Sequence, residues 1–254
     1  MELSTLLQYK PYSTARTEKR ALYAGLLTEL TQFHREHCPE YGRLLDALGC
    51  PDHMDCTVEN TPMLPVSLFK ELELRSIPEG EVFKTITSSG TTGQRVSRIF
   101  LDGATSACQQ QALCQIMSDF LGERRLPFLV LDSRQVLRNR AMFSARGAGI
   151  LGFSIFGTRP CYALDEHMEL DLDGVRAFLE EHQGETIFLF GFTFMIWKHV
   201  VRALEERGER LDIPNGILVH GGGWKKLAGE ALSPGEFKAR VAAATGVERV
   251  SNYY

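Results

Sequence analysis

The sequence lacks the features that mark several classes of protein. Its 28 Lys and Arg residues stand against 32 Asp and Glu, a formal net charge of −4, so no basic excess draws the chain to nucleic acid or to an acidic membrane surface. Six cysteines among 254 residues, none in a Cys-x-x-Cys pair, fall far below the density of a disulfide framework and indicate reduced thiols. The first residues, Met1 to Leu6, lack the basic and apolar segments of a secretory signal.

Long hydrophobic runs are also missing. The most apolar stretch, Phe188 to Trp197, is far shorter than the roughly 20 residues that a membrane-spanning helix needs, so we expect no membrane insertion and a cytoplasmic location. With 44% hydrophobic and 24% charged residues, the composition excludes collagen, coiled coil and wholesale disorder. The length allows one large domain or two small ones, each with a buried core. An enzyme that acts on small molecules fits this profile.

The first quarter of the chain is predicted to be helical. Apolar residues recur at three- and four-residue spacing from Glu18 to Arg35, which predicts an amphipathic helix. The stretch from Cys38 to Pro65 is rich in proline, glycine and acidic residues, and we interpret it as an irregular linker before a short helix around Ser67 to Leu74. These patterns divide the chain into a helical region, residues 1–62, and a body, residues 63–254.

The body alternates short apolar runs with amphipathic segments. Such runs are typical of strands buried on both faces of a parallel sheet. Ser233 and Glu236 form a capping box at the start of a helix that Gly246 ends. The pattern predicts an α/β fold with a mainly parallel sheet flanked by helices, with strands near 82–87, 96–101, 128–131, 186–190 and 216–219 and helices near 102–121, 171–181, 194–207 and 233–245.

A loop rich in glycine and hydroxyl side chains, Thr87 to Gln94, carries the clearest chemical signal. Glycines let the backbone approach a ligand closely, and successive amide and hydroxyl groups suit phosphate oxygens. The Gly-x-x-x-x-Gly-Lys-[Ser/Thr] spacing of a Walker A loop is missing. On composition alone, a solvated hairpin turn is about as well supported as a phosphate site.

Within this loop, Ser88-Ser89-Gly90-Thr91-Thr92-Gly93 is similar at all of its positions to the phosphate-binding signature of adenylate-forming enzymes. That superfamily contains acyl-CoA synthetases, firefly luciferase and peptide-synthetase adenylation domains. Two further segments, Pro65 to Lys70 and His220 to Lys226, resemble its acyl-protein synthetase (LuxE-type) branch. The resemblance runs from about Leu64 to the end of the chain and implies the fold of the large amino-terminal domain of these enzymes.

The resemblance also implies a reaction. Members of this branch use ATP to activate a fatty acid as an acyl-adenylate and pass the acyl group to a protein thiol for reduction to an aldehyde. We therefore expect an acid–thiol ligase that uses ATP and Mg²⁺, a carboxylic acid substrate and an acyl-reductase partner. The alternatives are a ligase whose acceptor is coenzyme A or a carrier protein, and a non-catalytic nucleotide-binding or scaffold subunit.

Site residues follow from the matched motifs. Ser88, Ser89, Thr91 and Thr92 are expected to bind phosphate, with Gly90 and Gly93 permitting the turn and Arg95 a weaker candidate. A second matched segment, Gly221-Gly222-Gly223, follows a buried strand and is expected to lie against adenine; three glycines alone would favour a plain tight turn. Lys225 and Lys226 beside it are candidates for phosphate contact or simple surface residues.

The last residues, Val250 to Tyr254, resemble the start of the superfamily's Tyr-Gly-x-Thr-Glu motif. Tyr254 aligns with the aromatic residue that stacks on adenine, and Tyr253 takes this role if the register is off by one. Because the sequence stops before the glycine, it looks truncated at its carboxyl end. We expect the Mg²⁺ ligands, the catalytic lid and the acyl-accepting cysteine beyond Tyr254, and we assign no catalytic residue.

Two clusters admit both a functional and a structural interpretation. Phe192 and Phe194 are candidate contacts of the acid substrate, although buried phenylalanines are more often core residues. Histidines and cysteines between His34 and Cys56 include N and S donors that suit zinc, but their spacing matches no zinc motif. We favour surface histidines and partly buried thiols there, and we assign no metal ligand. The scattered Cys108, Cys114 and Cys161 are interpreted as free structural thiols.

Overall fold

The computed structural model describes residues 3–87, 95–137 and 145–253. The chain forms two compact units, Met1–Phe120 and Leu121–Tyr254. The division predicted between residues 62 and 63 rests on the change from a helical region to an α/β body, whereas the two units are defined by their compactness. The predicted division therefore stays a prediction.

The first unit contains helices and a small antiparallel sheet. The two strands pair along their full length, from Lys84 opposite Leu101 to Thr87 opposite Arg98. The amide of Thr105 donates to Asp102 Oδ1 at 2.6 Å, so Asp102 caps the helix that follows the sheet. The helices are α1 (Arg16–His37), α2 (Pro39–Ala47), α3 (Leu68–Glu71) and α4 (Gly103–Leu121), with 3-10 helices at Leu3–Gln8 and Glu79–Glu81, and the strands are β1 (Lys84–Thr87) and β2 (Arg98–Leu101).

The irregular linker predicted from Cys38 to Pro65 is wrong over its first part, where α2 forms. Pro39 stands in the first turn of α2, where a missing amide hydrogen costs nothing. A Cβ at Gly42 would lie 3.3 Å from the carbonyl oxygen of Arg35, so glycine lets α2 pack closely on α1. Leu45 is then buried. Proline and glycine, which indicated a loop, are here the residues that allow two helices to pack.

The second unit is built on a five-stranded sheet with the order β4-β3-β5-β6-β7. Every neighbouring pair in it is parallel, which confirms the predicted α/β fold. Its central strands are the apolar runs read from the sequence. The strands are β3 (Leu126–Ser133), β4 (Gly157–Leu164), β5 (Ile187–Phe192), β6 (Gly216–Gly221) and β7 (Arg249–Tyr253).

Helices cover both faces of this sheet. Leu129, Leu189 and Leu218 point to one face, where they share a buried cluster with residues of three helical segments. On the other face Phe128 and Phe188 stack at 4.9 Å, and Phe153 stacks on Phe190 at 4.3 Å. The first face carries α6 (Leu172–Glu181), a continuous helix made of α7 (Thr193–Met195), a π-helical segment (Ile196–Val201) and α8 (Arg202–Arg207), and α9 (Pro234–Thr245); the second carries α5 (Ala145–Phe153).

Sequence patterns identified the helix ends well and the edge strands poorly. The predicted capping box of Ser233 and Glu236 is present, and Gly246 ends α9 with a φ of 75°. The edge strand β4 was not predicted, because its Thr158, Arg159 and Pro160 break the apolar pattern. Proline is tolerated in a strand only where its missing amide faces no partner, as at an edge. Among the described residues, no helix combines the length and apolar content that crossing a membrane requires.

Gly157 gives a direct test of how closely β3 and β4 pack. A Cβ at this position would lie 2.5 Å from Cβ of the fully buried Phe128, so we expect Gly157→Ala to lower the free energy of unfolding by about 1–3 kcal/mol. In the matched control Gly152→Ala, in α5, the new methyl group meets no described atom beyond its own helix within 4 Å, and stability should rise by about 0.5–1 kcal/mol. Urea denaturation measures both; equal effects would contradict the packing.

Candidate functional site

Three neighbouring strands of the sheet end at the same level. Phe192, the last residue of β5, pairs with Gly221, the last residue of β6, and Gly221 pairs with Tyr253 at the end of β7. Ligands of open α/β sheets bind beyond the carboxyl ends of their strands. We call this group of strand ends the carboxyl edge; it brings together predicted residues from three separate parts of the sequence.

The residues around the glycine stretch at the end of β6 leave little room for side chains at Gly221 and Gly222. Gly222 has a φ of 72°, a left-handed conformation that glycine adopts without strain. A Cβ at Gly222 would lie 3.0 Å from Cδ1 of Phe192, and one at Gly221 would lie 3.2 Å from the carbonyl oxygen of Tyr253. By contrast, no described atom lies within 4 Å of a Cβ built on Gly223. The backbone there can be approached closely by a ligand.

A buried hydrogen-bond cluster holds this glycine stretch against the start of α7. The hydroxyl of Thr193 lies 2.8 Å from the carbonyl oxygen of Gly222 and 3.2 Å from that of Gly221. A hydroxyl that donates to these carbonyls presents a lone pair to Nδ1 of His220, which lies 2.9 Å away. We infer that Nδ1 carries the proton of the His220 ring. Thr193 and His220 therefore join the ends of two adjacent strands.

His220 is uncharged at neutral pH. Only 5% of its surface is exposed, and burial, with a smaller contribution from Lys238, lowers the pKa of His220 to about 4. Its ring lies 4.8 Å from that of Phe237 in α9. The residue that precedes the glycines is therefore a neutral structural donor inside the fold.

The two predicted acid-contact residues occupy different environments. The ring of Phe192 lies between two glycines, because a Cβ at Gly149 of α5 would come within 3.1 Å of its Cζ and one at Gly222 within 3.0 Å of its Cδ1. Phe192 is half-buried at the carboxyl edge. Phe194 is also half-buried, and it packs against the core cluster. Both roles stay predictions.

An ion pair at the end of β3 was not identified from the sequence. Asp132 is fully buried, and its Oδ1 accepts hydrogen bonds from Nη2 of Arg146 at 2.9 Å and from the amide of Ser133 at 2.7 Å. Burial raises the pKa of Asp132, and the Arg146 guanidinium opposes this shift. The sequence signal that could have identified this ion pair was Asp132 itself, a single carboxylate directly after the apolar run from Phe128 to Leu131.

Several predicted residues have no described environment. The loop Ser88, Ser89, Gly90, Thr91, Thr92 and Gly93 lies outside the described residues, and so does Tyr254. Tyr253 makes an edge-to-face contact with Phe153 at 5.0 Å and is 47% exposed. Arg95 forms an exposed ion pair with Glu71 at 3.0 Å. Lys225 begins a 3-10 helix, Lys225–Glu230.

The histidine and cysteine residues of the first unit do not converge on one point. His34 bonds to Ser76, and Nδ1 of His37 donates to the carbonyl oxygen of Phe33 at 2.8 Å. Within residues 3–87, 95–137 and 145–253, no group of three or more His, Cys, Asp or Glu side chains could hold a metal ion. All six cysteines are free thiols. Burial raises the pKa of Cys161 to about 11, which makes this thiol a poor nucleophile.

The depressed pKa of His220 predicts an acid-sensitive stability. The unfolded imidazole takes up a proton near pH 6.5 and the folded one only near pH 4, so the unfolded state binds more protons between these values. The contribution is fully present above about pH 6.5 and is lost as the pH falls towards 4. Acidification from pH 7 to pH 5 should therefore lower the free energy of unfolding by about 2 kcal/mol through His220 alone.

The variant His220→Asn cannot titrate and isolates this effect from that of the carboxylates. Urea denaturation at both pH values should show the stability advantage of the natural protein over His220→Asn shrinking by that amount on acidification. An advantage that does not change with pH would contradict the assignment.

Comparisons with known proteins agree with this geometry. The family described as "Acyl-protein synthetase, LuxE" matches residues 2–254. The long-chain-fatty-acid–luciferin-component ligase of Vibrio harveyi is 22% identical over 233 residues, which cover 89% of this chain and 59% of the relative. That of Photorhabdus luminescens is 30% identical over 83 residues, 33% of this chain and 71% of the relative.

Solved structures show the same fold. An open conformation of 2-hydroxyisobutyryl-CoA ligase in complex with 2-HIB-AMP and CoA superimposes with a TM-score of 0.60 at 16% identity, covering 97% of this chain and 54% of that one. The same ligase in its thioesterification state gives a TM-score of 0.59 at 19% identity, over 94% of this chain and 49% of the other. The chain spans 59% of the length of the V. harveyi relative. Because the family model matches residues 2–254, the chain belongs to the LuxE family of acyl-protein synthetases.

Proposed function

We propose that this chain takes part in the ATP-dependent activation of a carboxylic acid, with a long-chain fatty acid as the favoured substrate. The observation that carries the proposal is the family match over residues 2–254. In the first step a carboxylate oxygen attacks the α-phosphorus of ATP, the bond to the bridging oxygen breaks, and pyrophosphate leaves with that electron pair. In the second step a protein thiolate attacks the acyl carbonyl carbon, and AMP leaves.

The carboxyl edge supports this assignment of roles. Adenine is proposed to lie along Gly221, Gly222 and Gly223, because no described atom lies within 4 Å of a Cβ built on Gly223. Phe192 is proposed as a wall of the acid site, since its ring is fixed between Gly149 and Gly222. The glycine- and hydroxyl-rich loop between β1 and β2, Ser88 to Gly93, is proposed to hold the phosphates, and Tyr254 to stack on adenine. Mg²⁺ would supply charge neutralisation of the phosphates.

The acyl acceptor is proposed to be a protein thiol. Cys161 is a poor choice, because burial raises its pKa to about 11 and the thiolate is the nucleophilic form. A reductase that consumes the acyl group is the proposed partner. We place the reaction in the cytoplasm, for which the six free thiols are the supporting observation.

Exchange of labelled pyrophosphate into ATP tests the first step without reference to the acceptor. We expect exchange that depends on a long-chain fatty acid, measured with the protein at its full natural length and with Mg²⁺ present. Ser89→Ala combined with Thr92→Ala should reduce it by at least about a hundredfold, the size of effect expected when donors to a developing charge are removed.

The matched control is Thr17→Ala with Ser118→Ala, one threonine and one serine at exposed helical positions, which should leave exchange unchanged. Absence of exchange with every fatty or aromatic acid would refute the proposal. Equal transfer to coenzyme A would refute only the protein-thiol acceptor.

Thr193 tests whether the glycine stretch contacts the nucleotide. Thr193→Val keeps the shape of the side chain but removes the hydroxyl that bonds to Gly222 and faces His220, so it should release the stretch and weaken ATP binding by about tenfold. Thr193→Ser keeps the hydroxyl and serves as the control. Calorimetric titration with ATP measures the affinity, and denaturation measures stability. If Thr193→Val loses stability but binds ATP as tightly as the natural protein, the glycines do not contact the nucleotide.

A further inference from the structure

The first unit contains a cavity that none of the functions above uses. Its volume is about 830 Å³, and its lining comes from α1, the start of α2, the connection from Pro62 to Ile77, β2 and the start of α4. All of these residues belong to Met1–Phe120. Sites for small molecules commonly measure about 300–1,000 Å³ and are lined mainly by apolar side chains. The cavity has the size of a ligand site.

Apolar side chains form most of the cavity wall. Leu30 comes from the apolar face of α1, Leu64 and Leu74 from the connection, and Phe100 from β2. Each of these residues is only half-buried, because part of its surface borders the cavity. Filling the cavity with an aliphatic chain would remove this apolar surface from water, which is favourable. The wall therefore favours a hydrocarbon chain.

Among the lining residues, His34 and Ser76 form a hydrogen-bonded pair. Nδ1 of His34 and the hydroxyl of Ser76 lie 2.7 Å apart, and both residues line the cavity. The ring of Tyr41 meets that of His34 edge-on at 6.1 Å. Burial, followed by the charge of His37, lowers the pKa of His34, so the imidazole is neutral at pH 7. This pair offers hydrogen bonds without a charge.

The acidic residues of the cavity wall determine which head group of a ligand the cavity can accept. Glu29, which is exposed, and Asp102 are both lining residues of the cavity, while the lining found among the described residues includes no Lys or Arg. Asp102 accepts the amide of Thr105 at 2.6 Å, and the N-terminus of α4 stabilises its charge. A ligand carboxylate would therefore lie near two acidic residues and near no Lys or Arg of the described lining, which is unfavourable. The cavity is therefore unsuited to the acid that the proposed function activates.

We propose that this cavity is a second ligand site, which binds an aliphatic molecule with an uncharged hydrogen-bonding head, such as a primary alcohol, through His34 and Ser76. The proposal goes beyond the function above, because it concerns a different unit and a different class of ligand. Neither ATP nor acid activation is needed for binding. If the cavity binds no such ligand, the proposed exchange reaction is not affected. If no exchange is found, the proposed ligand site is not affected.

Three ligands with the same chain and different heads test the proposal on the natural protein. Calorimetric titration at pH 8 without ATP should detect saturable binding of 1-decanol. Decanoate should bind at least about tenfold more weakly, because its charge would lie near Glu29 and Asp102. Decylamine should bind no more tightly than the alcohol, because Asp102 already accepts the amide of Thr105 and burying an ammonium group is costly. Tighter binding of decanoate or of decylamine would overturn the uncharged head, and absence of saturable binding of 1-decanol would overturn the site.

Variants locate the binding. Leu30→Trp fills the cavity and should abolish binding of 1-decanol; Tyr23→Trp, at an exposed position of the same helix that does not line the cavity, should preserve it. Ser76→Ala removes one hydrogen bond and should weaken binding about fivefold, whereas Ser118→Ala, exposed on α4, should not. Thermal unfolding identifies any variant that fails to fold. Binding that both Leu30→Trp and Ser76→Ala leave unchanged, in folded protein, would overturn the proposal.

Discussion

The parallel register of β5, β6 and β7 is the constraint on which the candidate site depends. Parallel strands present all their carboxyl ends on one side of a sheet, and in this register Phe192, Gly221 and Tyr253 share one level. The three residues are separated by about thirty positions along the chain, yet the sheet brings them side by side. A flat ligand can bind at such an edge only if the residues that follow each strand do not cover the edge. The glycines at the end of β6 have no side chains that could cover it.

Polar interactions then fix details that the sheet leaves open. A strand that ends in three glycines has a flexible continuation, and flexible backbone loses entropy when it orders around a ligand. Thr193 restricts this backbone, because its hydroxyl bonds to the carbonyl oxygens of Gly221 and Gly222, which would lower the cost of binding the proposed ligand. His220 completes the cluster as a neutral donor. A charged imidazole in this position would be costly to bury, which is why its pKa is depressed.

The sequence predicted elements whose signals are local and missed those that depend on packing. The capping box at Ser233 and the glycine at 246 are local signals, and both helix ends were predicted correctly. Helix α2 was missed because its proline and glycine indicate a loop unless the close approach to α1 is known. Strand β4 was missed because an edge position tolerates polar residues and proline. At the site, Gly221 to Gly223 were found from a motif, whereas Asp132 and Arg146, fourteen positions apart, are linked only by tertiary structure.

The two units place opposite demands on the chemistry of a bound chain. At the carboxyl edge, a substrate that reacts through its carboxylate needs nearby groups that tolerate negative charge, and the backbone amides of a glycine stretch supply this without adding a competing acid. In the first unit, Glu29 and Asp102 line the same cavity as His34, whose pKa burial lowers. The cavity lining and the proposed acid contact Phe192 are both apolar, so apolar character alone does not distinguish the two proposed ligands. The charge beside the head group is what separates the two proposals, in which the acid binds at the carboxyl edge and an uncharged molecule in the cavity.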